Sequence, residues 1–390
     1  MYLTKCAVCA TELGLTLGKK CGRCSTRYCG ADCQVQHWKE GGHDKLCKPI
    51  KKAGGAEQYN ANKKYAEAVT VAVEKCADDT KGQACYICTQ ALHWKTKEGL
   101  VRGCACRGTA GFAHVSCLAE QAKILFAEAE ENNLDGEALD ARFRRWHTCS
   151  LCEQYYHGVV LCALGWACMK TYAGRPETDG VRISAIGQLA NGLGGAGRNE
   201  EGLSVREVEL AMKRRAGASE QSMLVAQNNL AASYHEIGRF EESTRLRQDV
   251  YSVRLKLLGI SHEETVSAAY NYALSLLSLE RDEEAKSVLR KMVPVARRVL
   301  GEDHLVTLGM RTIYAQSLYS DPGATLDDLR EGVRKLEDLK RTARRVFGGA
   351  HPLAVGVEGT LRESREALRA REGLNFISEA LAAMPPPRSA

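Results

Sequence analysis

Sixteen cysteines and histidines in the first 152 positions fall into short pairs, and pairs of this kind bind metal. The first group reads Cys6-x2-Cys9, Cys21-x2-Cys24, Cys29-x3-Cys33 and His43-x3-Cys47, all within 42 residues. The second reads Cys85-x2-Cys88, Cys104-x-Cys106, His114-x2-Cys117 and Cys149-x2-Cys152. A Cys-x2-Cys turn aims two thiolates at one ion, and an x3 pair puts residues i and i+4 on one side of a helical turn. Zinc takes four such donors in a tetrahedron, so each group holds two ions and the chain is expected to bind four.

The choice of metal over disulfides rests on compartment. The opening Met-Tyr-Leu-Thr-Lys-Cys has no apolar core followed by a small-residue cleavage site, so a secretory signal is not expected and the protein is read as intracellular, cytoplasmic or nuclear. Of 17 cysteines, fifteen precede residue 153, and clustered Cys-x-x-Cys pairs in a reducing compartment favour metal. The formal charge of +6 treats these thiols as neutral. Four thiolates on zinc carry about −2 and three with a histidine about −1, so two sites of each kind bring the metallated chain near zero. The nominal basicity is thus no argument for nucleic acid, and none is expected as a partner. The longest apolar run, Val159 to Met169, is about half of the ~20 residues that cross a bilayer and reads as a buried helix, so no membrane span is expected.

A chain of 390 residues divides into two to four units. Residues 1–48 form the first metal-binding unit, and Lys48-Pro49-Ile50-Lys51-Lys52 with Gly54-Gly55 ends it. The linker, 49–80, contains a helix over about 57–77, since Tyr65, Ala68, Val69, Ala72, Val73 and Cys76 recur at helical spacing. Cys76 has no partner at ligand spacing and reads as a packing residue. The second finger spans 81–157, with a helix from Leu118 to about Glu131.

Residues 158–379 repeat. Gly217, Gly259, Gly301 and Gly348 are spaced by 42, 42 and 47 residues, and a period near 40 signals stacked supersecondary units. Asn229-Leu-Ala-Ala, Asn271-Tyr-Ala-Leu and Ile313-Tyr-Ala-Gln align, as do Glu241-Glu242 and Glu283-Glu284; a weaker copy begins near Ile183. Four hairpins and a capping helix are expected. Arg214, Lys256, Arg298 and Arg345 each stand three positions before a marker glycine, where they suit a helix C-terminus, with the glycine as a left-handed cap. The longer last interval is assigned to the turn-rich Asp321-Pro322-Gly323-Ala324-Thr325. Residues 380–390, with Pro385-Pro386-Pro387, read as a flexible tail.

The first group of ligands, with Tyr28-Cys29, Cys33-Gln34 and His37-Trp38, resembles the MYND finger over its whole length. The resemblance implies interleaved sites, Cys6, Cys9, Cys29 and Cys33 on one zinc and Cys21, Cys24, His43 and Cys47 on the other, and a grip on short proline-containing peptides. Gln34 and Trp38 are then peptide contacts, or else only the apolar face of the terminal helix, and His37 is a packing residue.

The second order, four cysteines, a histidine and three cysteines, is shared by PHD and RING-variant fingers. The single residue between Cys104 and Cys106 and the seven before His114 resemble the RING-variant class, as do Arg107-Gly108-Thr109, Phe112, Trp146 and Cys149-Ser-Leu-Cys152. That resemblance implies a cross-brace with Cys85, Cys88, His114 and Cys117 on one zinc and Cys104, Cys106, Cys149 and Cys152 on the other. It also implies docking of a ubiquitin-conjugating enzyme through Ile87, with Trp146 as a second contact. Many active ligases carry a basic residue after the last cysteine, where this chain has Glu153.

Gly259-Ile-Ser-His262, Gly301-Glu-Asp-His304 and Gly348-Gly-Ala-His351 resemble tetratricopeptide repeats of the kinesin-light-chain type over roughly 180–370. Such arrays bind extended peptides on a concave face, where Asn229 and Asn271 would contact peptide backbone, although Ile313 replaces the third asparagine. The expected architecture is multi-domain and mainly α: two small zinc-stabilised cross-brace fingers followed by an α-helical tetratricopeptide-like solenoid. Two functions stay open, a ubiquitin ligase whose other modules recruit substrate and a non-catalytic adaptor bridging protein partners. No segment resembles a lysine methyltransferase domain, a GxxxxGK[ST] loop or a nucleophile elbow.

Overall fold

The structure, a computed structural model, describes residues 5–11, 13, 18–320, 323–349 and 351–382. Of the sequence features above, Asp321, Pro322, Ala350 and the Pro385-Pro386-Pro387 tail lie outside these residues. The chain falls into two compact units, Met1–Ile237 and Gly238–Ala390.

In the first unit a short hairpin, β1 (Lys19–Lys20) and β2 (Arg27–Tyr28), precedes α1 (Ala31–Lys39) and α2 (His43–Lys52). The linker helix is α3 (Ala56–Cys76). The second finger contributes α4 (Val115–Glu131), α5 (Gly136–Phe143) and a 3-10 turn, Arg144–Trp146. Then come α6 (Gly158–Tyr172), α7 (Gly180–Gly195), α8 (Asn199–Arg215) and α9 (Glu220–Glu236).

The apolar run Val159 to Met169 forms most of α6, and it is buried because α3, α4 and α7 pack around it. The α6–α7 contact is close. A Cβ on Gly192 would lie 2.8 Å from the Leu161 carbonyl oxygen, so glycine is what lets the backbones approach. One core therefore runs from Val69 and Ala72 on α3 through Val101 and Leu118 of the second finger and Leu164 on α6 to Leu189 and Val205 of the first hairpin. The first finger keeps a small cluster of its own, four ligand cysteines with Leu13, Tyr28 and Ile50.

The second unit contains α10 (Phe240–Leu258), α11 (Glu263–Leu277), α12 (Asp282–Val299), α13 (Leu305–Ser320), α14 (Leu326–Phe347) and α15 (Pro352–Ala382). Each helix packs on the next, and α11 on α13 and α13 on α15, which is the packing of stacked hairpins. Val266, Ala269, Leu289, Met292 and Ile313 fill one core, Leu308, Leu336, Leu339 and Leu361 the next.

The repeat signatures have local causes. In each Gly-x-x-His the histidine caps the next helix: Nδ1 of His262, His304 and His351 accepts the backbone N–H of Glu264, Val306 and Leu353, each at 3.2 Å. At Gly259 and Gly348 the marker glycine ahead of it does not take the left-handed helical cap. Gly259 has φ 78° and ψ 171°, an extended positive-φ region occupied almost only by glycine. The paired glutamates close a second recurring contact, Arg198 to Glu201, Arg239 to Glu242 and Arg281 to Glu284, at the start of α8, α10 and α12.

Two sequence expectations need correction. Arg298 donates to Ser261 Oγ at 3.1 Å and Arg345 to Asp303 at 3.2 Å, so these two basic residues tie one repeat to the loop before it. The longer final interval sits mainly in α14, which has 22 residues where α12 has 18. The Thr325–Asp328 capping box starts that helix, and its apolar stripe of Leu329, Leu336 and Leu339 continues for the extra turn.

Candidate metal centres and partner surfaces

Four sets of donors converge, and within each set the ligand atoms lie within 4.8 Å of one another. In the first set, Cys6 and Cys9 come from the turn before β1, Cys29 follows β2 and Cys33 lies on α1. Its Sγ atoms stand 3.5 Å apart for Cys9 and Cys29, 3.4 Å for Cys29 and Cys33, and 3.7 Å for Cys33 and Cys9. In the second set, Cys21 and Cys24 lie in the β1–β2 turn and His43 and Cys47 on the first turn of α2. Cys21 and Cys47 are 3.9 Å apart, and Cys24 Sγ is 3.4 Å from His43 Nε2.

The third set joins Cys85 and Cys88 to His114 and Cys117, the N-cap and first turn of α4. His114 offers Nδ1, 3.4 Å from Cys88 Sγ and 3.6 Å from Cys117 Sγ, while its Nε2 lies 3.4 Å from the Ala91 carbonyl oxygen. A donor bond from the far ring nitrogen to a carbonyl is how a ligating histidine is held in orientation. The fourth set is Cys104, Cys106, Cys149 and Cys152, with Cys106 and Cys149 3.8 Å apart.

These separations fit zinc. A tetrahedron with Zn–S near 2.3 Å has S···S edges of about 3.8 Å, and with Zn–N near 2.1 Å an S···N edge of about 3.6 Å. The electrostatics ask for a cation as well. The Thr11 hydroxyl holds the Cys9 thiol down to about 6, whereas Cys29 beside it pushes Cys33 up to about 12. Burial, then the neighbouring Cys24 and Cys21, raises Cys47 to about 11, and burial raises Cys104 to about 11. Thiolates this crowded cannot all ionise unless a divalent ion offsets their repulsion. Each of the four sets can hold one zinc ion.

Residues 6–47 match the MYND finger, 85–152 the RING-variant domain and 222–298 the tetratricopeptide repeat. The chain combines these three kinds of domain, two that bind zinc and one built of helical repeats. No curated protein sequence matches it. Among solved structures, two of a kinesin light chain with nearly identical TPR-like repeats from Podosopora anserina match at 18% and 17% identity. Each covers 60% of this chain, and 97% and 98% of their own, with a TM-score of 0.40. BtubC (BKLC) from P. vanneervenii matches at 13% identity over 71% of this chain and 94% of its own, with a TM-score of 0.38. Zinc fingers of these classes and tetratricopeptide repeats make the chain a zinc-binding protein-interaction module. No helix among the described residues is long and apolar enough to cross a membrane.

In the MYND finger, His37 stands outside the ligand sets: its Nδ1 is 3.0 Å from Tyr28 Oη and its ring 4.8 Å from that of His43. Trp38 lies 5.8 Å from the His43 ring and is 46% exposed, so one face covers a ligand while the other meets solvent. Gln34 is half-buried on α1.

In the RING-variant finger, Ile87 is 36% exposed. Trp146 is completely buried, among Phe126, Cys168, Tyr172 and Ala185, because α4, α6 and α7 close over the 3-10 turn that carries it. It cannot touch a partner, and its expected role as a second contact is withdrawn. Leu151, 51% exposed, stands between the last two cysteines as Ile87 stands between the first two. Tyr86 and Ser150, the residues beside them, are hydrogen-bonded at 3.1 Å, which brings the two knuckles together. The shared Cys-x-x-Cys position was the signal that could have found Leu151. Glu153 accepts from Arg145 at 3.0 Å.

In the repeats, Asn229 on α9 and Asn271 on α11 are half-buried, and the Asn271 carbonyl accepts from Arg247 at 3.1 Å.

Proposed function

We propose that the protein is a ubiquitin ligase in which the RING-variant finger docks a ubiquitin-conjugating enzyme while the MYND finger and the helical repeats recruit substrate. The observation that carries this reading is the pair of apolar side chains Ile87 and Leu151, presented on two knuckles that Tyr86 and Ser150 hold together. Exposed hydrophobes at metal-fixed positions have little folding purpose and suit a partner. Zinc, when bound, would fix the knuckles, and in this reading catalysis is the positioning of a charged conjugating enzyme. Gln34 and Trp38 are assigned to peptide capture by the first finger, Asn229 and Asn271 to peptide capture by the repeats.

The second reading, a non-catalytic adaptor, is favoured by Glu153 held in an ion pair with Arg145 and by the burial of Trp146. An autoubiquitination assay of the zinc-loaded chain with a panel of conjugating enzymes separates the two. As a ligase, Ile87→Ala keeps four zinc ions and the helical content but loses ubiquitin transfer. If no conjugating enzyme supports transfer and Glu153→Arg does not create it, the adaptor reading stands.

A further inference from the structure

A groove of about 810 Å³ lies beside the RING-variant finger but is only partly made from it. One wall is the loop bearing Trp94 and Lys95, another the face of α4 with Glu120 and Lys123, and the rest is Tyr65 of α3 and Lys170 of α6, both outside the finger. It is therefore distinct from the knuckle face of Ile87 and Leu151.

Two features of this groove suit a ligand. Trp94 is 68% exposed on a closed turn, in which Lys97 N–H donates to the His93 carbonyl at 2.9 Å and His93 N–H to that of Glu98 at 3.0 Å. A large indole held out on such a turn loses little entropy on binding and is a common anchor for partners. Lys170 is half-buried, and burial pulls its ammonium below the usual lysine range, with Glu98 partly opposing. Its Nζ sits 3.9 Å over the Tyr65 ring, and among the described residues no carboxylate pairs with it. Both Glu98 oxygens are taken by Ser116, at 2.7 Å by its N–H and at 2.8 Å by its hydroxyl. Desolvating a cation without an anion is costly, and an incoming carboxylate would repay it.

The charge of the walls selects the occupant. Of the lining residues Lys95, Lys123 and Lys170 are cationic and Glu120 carries the carboxylate, which Lys123 already engages at 3.3 Å, while Glu98 behind the wall acts on Lys170 with both oxygens held by Ser116, so cations remain in excess. A concave channel between three helices and a loop admits a chain segment, not a flat bilayer. We propose that this groove docks an acidic segment of a partner protein, with an apolar side chain against Trp94 and Tyr65 and carboxylates at Lys170 and Lys95. The inference is independent of whether the finger transfers ubiquitin.

The test selects a phage library of random heptapeptides on the full zinc-loaded chain. The expected outcome is enrichment of sequences that place aspartate or glutamate beside Trp, Phe or Leu. A synthetic peptide of the enriched sequence should shift the fluorescence of Trp94, a signal that Trp94→Phe removes. Lys170→Met, which keeps the packed stem, and Lys95→Glu at an exposed position should each weaken binding about tenfold or more, with zinc content and helicity unchanged. The proposal is overturned if nothing is enriched, if the enriched peptides lack acidic residues, or if neither lysine change weakens them. It is equally overturned if Lys170-dependent binding is found only with phosphatidylserine vesicles.

Discussion

The two fingers use the same eight-donor plan and are supported in opposite ways. In the MYND finger, among the described residues, the apolar support is a small cluster around Tyr28 and Ile50 to which Ala56 and Tyr59 of α3 add, and two of its ligands, Cys9 and Cys29, are exposed. In the RING-variant finger Cys85, Cys104, Cys117 and Cys149 belong to the same core as α3, α6, α7 and α8. Equal ligand chemistry thus leaves one finger with a small apolar cluster beside its metal sites and lets the other share a helical core. About 45 residues cannot bury enough surface to fold unaided.

Metal removal should produce the largest effect. Native mass spectrometry is expected to find four zinc ions per chain, and a graded chelator should strip the set with exposed ligands, Cys6, Cys9, Cys29 and Cys33, first. Structural zinc in small fingers is worth about 10–16 kcal/mol, so amides of residues 18–52 should then exchange freely while α6 to α8 stay protected. Loss of protection in α6 before α1 would reverse the comparison.

Trp146→Ala should cost about 3–5 kcal/mol, since it empties a fully buried site between α4, α6 and α7. A thermal scan would show the transition of the first unit lowered and that of the second unmoved. Were Trp146 a surface contact, the scan would hardly change.

A smaller test concerns sign. Gly→Ala inside a helix ordinarily gains up to about 1 kcal/mol, yet Gly192→Ala meets the Leu161 carbonyl and should lose about 1–3 kcal/mol in urea titration. A gain would mean that α6 and α7, and with them the finger and the first hairpin, are less tightly joined than the shared core requires.

The smallest effect belongs to the metal-free second unit. His262→Ala removes one N-cap and should cost about 1 kcal/mol, seen as faster amide exchange at the start of α11, with zinc content unchanged. His262→Asn, which can still accept the Glu264 N–H, should restore most of the protection.

Much of the molecule was legible in its residues because the determining contacts are short in sequence. Cys85-x2-Cys88 must turn toward one ion whatever surrounds it, and His43-x3-Cys47 announced the helical turn that α2 supplies, whereas of the other x3 pair only Cys33 is on a helix, Cys29 standing before α1 behind the extended Gly30. The linker helix, expected over about 57–77, spans Ala56–Cys76, and the apolar run after Gly158 became buried α6 for want of any polar face. The glycine period marked the hairpins, because each of these turns places a glycine at positive φ just past a helix end.

Tertiary structure alone decided what those elements meet. Trp146 and Trp94 are the same residue type, and nothing near either in the chain says that one is enclosed and the other left in solvent. That depends on α6 and α7 arriving over the 3-10 turn. Arg298 and Arg345 looked like caps of their own helices and instead reach the preceding loops, since the stacking offset brings Ser261 and Asp303 within reach. The pairing of Tyr65 with Lys170, and of both with the loop of Trp94, joins three separate stretches of sequence. Spacing encodes donors that share a turn; burial and long-range charge are set by whichever surfaces pack from elsewhere, and only the folded chain brings those together.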